Sequence, residues 1–100
     1  MNRIPKSYNV GGQKVEVHHV ERCDNNAVGE MHLCSGYLEI AKMFSKDSCQ
    51  CEASKYNTFI HEVVHSILQT MGKRDLNDDE EFVCTFSSFL CEALTTMSYE

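Results

Sequence analysis

Nothing in this chain restricts its fold as strongly as the segment from Ser54 to Met71. It has neither glycine nor proline, and His-Glu-Val-Val-His stands at its centre. Ile60, Val64, Ile67, Leu68 and Met71 recur at helical spacing, the pattern of a helix with one face toward a core. Phe59 and Val63 are apolar on another side, so the helix is expected to be covered on more than one face. Gly72 is a natural stop, and Lys73 and Arg74 suit the negative end of the helix that precedes it.

Residues four apart on a helix lie about 40° apart around its axis, so His61 and His65 can reach one divalent ion together. Zinc suits two imidazole nitrogens. Glu62 sits one position on and faces a metal-bound water rather than the metal, the place of a general base in a zinc hydrolase. A catalytic zinc takes three protein ligands and keeps one position open. The third donor has two sources. One is His18, His19 or His32 in the first half of the chain, and the other is a carboxylate, Glu80 or Glu81, beyond the motif. Helical geometry leaves Glu80 and Glu81 open. The longer H-E-x-x-H-x-x-G-x-x-H pattern is absent, because Leu68 and Met71 occupy its Gly and His positions.

Around this helix the chain reads as a small α+β domain. Residues 1–12 form a lead-in closed by Gly11-Gly12, a turn signal. Residues 14–20 alternate, with Val15, Val17 and His19 on one side, and residues 30–34 and 37–44 give two more strands. These predict an antiparallel sheet. Residues 45–52 read as a polar connection. After the motif helix comes an acidic turn from Asp75 to Glu81, with Asn77 or Asp78 as cap for a second helix over about Asp79 to Met97. Its inward residues are expected to be Phe82, Val83, Phe86, Phe89, Leu90, Ala93 and Met97. Cys84 and Cys91 fall on the opposite face with Ser88 and Thr95. Met31, Met43, Met71 and Met97 read as core filler.

A chain of 100 residues allows a single domain over residues 1–100 with a thin core, for which a metal is a useful staple. Its net charge of -6 disfavours nucleic acid as a direct partner. No apolar run spans a membrane, and the first residues lack a secretory pattern. The six cysteines therefore read as reduced thiols of a cytoplasmic protein. Cys49 and Cys51 have no second half to complete a structural zinc site.

The stretches Thr58-Phe59-Ile60-His61-Glu62-Val63-Val64-His65-Ser66-Ile67-Leu68 and Asn77-Asp78-Asp79-Glu80-Glu81-Phe82-Val83-Cys84-Thr85-Phe86-Ser87 resemble the small gluzincin-type metallopeptidases. In particular they resemble the minimal domains related to ImmA/IrrE, common in phage and mobile-element genomes. There the motif helix is followed by E-x-x-[AV]-x-x-F-[AS], matched here by Glu80, Val83, Phe86 and Ser87. The resemblance covers residues 54–94 and implies a minimal zincin-like fold. It also implies a single Zn2+ held by His61, His65 and Glu80, with Glu62 as general base in peptide-bond hydrolysis. It further implies a peptide or protein substrate, a regulatory protein among the candidates, pairing with a strand near Tyr37–Lys42. Tyr37, Tyr56, Tyr99 and His32 are the candidate oxyanion stabilisers. The alternative is a catalytically silent, zinc-stabilised module that binds a host or regulatory protein.

Overall fold

The computed structural model describes residues 4–99, so Met1 to Arg3 of the expected lead-in lie outside the described residues. Strand β1 (Ser7–Val10) turns into β2 (Gln13–Val20) through Gly11-Gly12. The two glycines have φ of +58° and +82°, a tight hairpin turn that side chains resist. Gly11 is also held close to the motif helix, since a Cβ there would lie 2.5 Å from Thr70 Cγ2. The lead-in therefore contributes a strand rather than a loose arm.

After β2 the chain crosses to β3 (Gly29–His32), then β4 (Tyr37–Ala41) inserts between β2 and β3. The order is β1-β2-β4-β3, with β2 and β4 parallel and the other pairs antiparallel. This corrects the expected antiparallel sheet. Alternation assigns each strand a face but says nothing of its neighbour's direction, and the crossover from β2 makes β4 run parallel to it. The stretch read as one strand over 37–44 breaks after Ala41. Its end forms a separate small hairpin, β5 (Met43–Ser45) with β6 (Ser48–Cys49).

Helix α1 (Glu52–Met71) crosses one face of the sheet. Val15, Val17, Leu38 and Ile40 from the sheet close on Phe59 and Ile60 of α1, forming the main core. Buried Gln50 fastens the start of α1 to the sheet: its Nε2 donates to the Ala41 carbonyl at 2.6 Å, and its Oε1 accepts from Ser54 at 2.7 Å and Thr58 at 3.2 Å. At the other end Gly72 is left-handed (φ +74°), and the Lys73 amide reaches the Leu68 carbonyl at 3.0 Å, a Schellman stop. The expected acidic turn is partly a short helix, α2 (Arg74–Asn77). Helix α3 (Glu80–Thr96) follows, capped by Asp79 rather than Asn77 or Asp78, with the Phe82 amide donating to Asp79 Oδ1 at 3.1 Å.

The inward face of α3 is rotated from the expected one. Val83 and Ser87 are buried, and Phe82, Leu90, Cys91 and Leu94 are partly buried. Phe86, Phe89, Ala93 and Met97 are exposed. Small Ser87 faces α1, so the largest side chains do not set the contact. On α1 Ile67 and Met71 are likewise exposed, since only Val64 and Leu68 meet Val83. No helix among the described residues is long and apolar enough to cross a membrane.

Candidate metal centre

Mid-helix on α1, His61 and His65 present their rings edge to face, centroids 5.0 Å apart. The first turn of α3 brings Glu80 to them. Its Oε1 lies 3.0 Å from His65 Nε2 and its Oε2 lies 3.5 Å from His61 Nε2. A tetrahedral ion with bonds of about 2.0 Å sets its donors about 3.3 Å apart, so the spacing fits. Glu80 is on the same helical stripe as Val83 and Ser87, which is why the α3 face that packs is also the face that delivers the carboxylate. Glu81, one residue on, is exposed and outside this group.

The far side of each ring is held. Asn77 Oδ1 lies 2.7 Å from His65 Nδ1, so Nδ1 donates and a neutral ring leaves Nε2 as a bare lone pair. Ser87 donates its hydroxyl to the Cys84 carbonyl. Its Oγ is then free to accept from His61 Nδ1, 3.5 Å away. With the Nδ1 atoms turned to these acceptors, it is Nε2 of each ring that faces the Glu80 oxygens, placed to bind an ion or to share a proton with the carboxylate. Burial, and then the charge of His65, lower the His61 pKa while Glu80 opposes them, which favours the neutral ring. Electron pairs that converge in this way repel one another unless a cation or a proton sits between them. The sequence marks Asn77 as a candidate cap and Ser87 as part of a family pattern. No local sequence signal marks either as a partner of a histidine.

Glu62 is only 6% exposed. Burial pushes its carboxyl up to about 7; Glu80 and Glu30 add to the rise, and His65 opposes it. Gly29 on β3 leaves the space for it: a Cβ there would be 3.1 Å from Glu62 Oε2 and 2.5 Å from Thr58 Cγ2. A depression of about 440 Å3 opens over this group, walled by Ala27, Gly29, Glu30 and Met31 on one side and by Gln69, Asn77 and Glu80 on the other.

The other named residues are elsewhere. His18 and His32 stack on either side of Tyr37, each with ring centroids 4.7 Å from it. Those rings project from the sheet face away from α1. His19 is exposed on the sheet, with no part in the group. Tyr56 packs near Phe59, and Tyr99 is exposed. None of Tyr37, Tyr56, Tyr99 and His32 walls the depression. Strand β4 is hydrogen-bonded on both sides, by β2 and β3. The edge beside the depression is β3, in place of the expected Tyr37–Lys42. No family model, curated protein or solved structure matches this chain.

Proposed function

We propose that the chain is a zinc-dependent peptidase of minimal zincin type. His61, His65 and Glu80 hold the ion, and Glu62 is the general base. The observation that carries this reading is the convergence of two Nε2 atoms and a carboxylate beside a buried glutamate whose carboxyl burial pushes up to about 7. When bound, the ion supplies Lewis acidity to a water and to a substrate carbonyl. Glu62, with a pKa near neutrality, takes the proton from the attacking water and returns it to the leaving amine. Asn77 and Ser87 keep the two imidazoles in register. The open edge of β3 offers backbone groups to an extended peptide, which would lie across the depression as an added strand. The resemblance to gluzincin-type and ImmA/IrrE-related peptidases supports the same assignment.

The alternative of a silent binding module draws on the exposed rings of Phe86 and Phe89 on α3, a surface a partner protein could cover. Glu62 weighs against it, because a purely structural ion needs no buried base beside it. The deciding experiment measures zinc content and hydrolysis of a mixed peptide library. Wild type and Glu62→Gln are expected to carry equal zinc, and His65→Ala and Glu80→Ala to carry one ion fewer. Only wild type is expected to cleave. Equal zinc in all four proteins sinks the metal assignment. Equal zinc in wild type and Glu62→Gln with no cleavage by either returns the chain to the binding module.

A further inference from the structure

On the face of the sheet turned away from α1, a second set of donors comes together. Leu38 and Ile40 point into the core, so alternation sends Glu39 outward. Met31 packs on the core, so its neighbours Glu30 and His32 turn outward too. Strand register sets Glu30 directly opposite Glu39, a like-charge pairing that destabilises a sheet when nothing compensates it. The loop after β2 adds Cys23. Ligand atoms of Cys23, Glu30 and Glu39 all lie within 4.8 Å of one another. His32 Nε2 is 3.5 Å from Glu39 Oε1 and 3.9 Å from Glu30 Oε1, with its ring fixed by stacking on Tyr37.

This group is left incomplete by the protein alone. Glu30 Oε1 and His32 Nε2 are buried and have no hydrogen-bond partner. Cys23 is only 7% exposed, and among the described residues its thiol makes no hydrogen bond. Neither glutamate pairs with a lysine or arginine among the described residues. Their ion pairs are with His32. The thiol sits in the field of four carboxylates, Glu39, Glu30, Glu62 and Asp24. Buried polar atoms without partners are costly, and one small cation would serve all of them at once.

We propose that Cys23, Glu30 and Glu39, with His32 beside the two carboxylates, form a second site for a thiophilic divalent cation of the zinc class. A thiol among the donors selects zinc or cobalt over magnesium and calcium. Binding releases the Cys23 proton to solvent and leaves a thiolate on the ion. The site also joins the loop after β2 to the edge strand β3, so it stiffens the wall of the depression that Glu30 shares. It is independent of the group on α1 and α3, because His61, His65 and Glu80 take no part in it.

Cobalt titration of the metal-free protein tests this directly. A thiolate ligand gives Co2+ an intense near-ultraviolet charge-transfer band that imidazole and carboxylate do not, so the band reports a thiolate rather than the His61–His65–Glu80 group, and its loss in Cys23→Ala assigns it to Cys23 among the six cysteines. The band is expected in wild type and in the His61→Ala, His65→Ala double variant. It is expected to vanish in Cys23→Ala. Glu39→Gln keeps the side-chain shape and the thiol, and guards against misfolding of the cysteine variant. It should need at least about ten-fold more cobalt to reach half the band. No band in wild type overturns the site. A band that survives Cys23→Ala, or Glu39→Gln titrating like wild type, overturns it as well.

Discussion

Glu62 carries its function in its burial. Its ordinary carboxylate value of 4.5 applies to the unfolded chain, and burial lifts it to about 7 in the folded one. Between these values the metal-free native state holds a proton that the unfolded state has released. The stability this confers is fully present below the unfolded value and is lost as pH rises through the folded value. Glu62→Gln is neutral throughout. Relative to metal-free wild type, metal-free Glu62→Gln should therefore gain in melting temperature between pH 4, below the unfolded value, and pH 8, by roughly 5 °C or more. Thermal melts at the two pH values decide it. Asn77 acts at the same scale through a single contact, 2.7 Å from His65 Nδ1. Asn77→Ala should weaken zinc at the α1 site by about 10- to 100-fold, with Asn77→Asp keeping the acceptor and most of the affinity. Chelator competition in the Cys23→Ala background isolates that site. A loss of helix content without a loss of affinity would contradict the positioning role.

Among the elements, α1 was legible nearly to its ends. Unbroken apolar periodicity specifies a helix, and Gly72 stops it as its composition predicts. Helix α3 was legible in extent but not in rotation. Phe86 and Phe89 look like core by hydropathy, yet Val83 and Ser87 take the contact, because a small residue lets α3 lie close to His61. That rotation is what aims Glu80 at the histidines. The start of α3 depends on Asp79, whose side chain accepts from the Phe82 amide. Asp79→Ala should cost about 1 kcal/mol, read as a lower melting temperature of roughly 4–8 °C. It should also lower zinc affinity at the α1 site, since a frayed first turn frees Glu80. A melting loss with unchanged affinity would separate the cap from the site.

Over the whole molecule, α3 is attached through α1. Val83 meets Val64 and Leu68, and Leu90, Cys91 and Leu94 reach the main core as partly buried residues, while the buried residues of that core come from the sheet and α1. An ion shared by His61, His65 and Glu80 would add a link between α1 and α3, so its removal should act there first. Hydrogen exchange after chelation should expose α3 amides while those of β2, β4 and α1 stay protected, and zinc-loaded His65→Ala should show the same loosening. Uniform protection with and without the ion would speak against this link. From its sequence alone the chain determined its α+β class, the span and stop of α1, and the pairing of His61 with His65 beside Glu62. Those follow from local periodicity and from residues four apart on one helix. Tertiary structure alone decided that β4 lies parallel to β2 and that β3 is the edge. It also placed Glu80 rather than Glu81 at the histidines, with Asn77, Ser87 and Gly29 around them. These depend on how separate elements cross, and a crossing is set by packing between residues far apart in the chain, which no local pattern records.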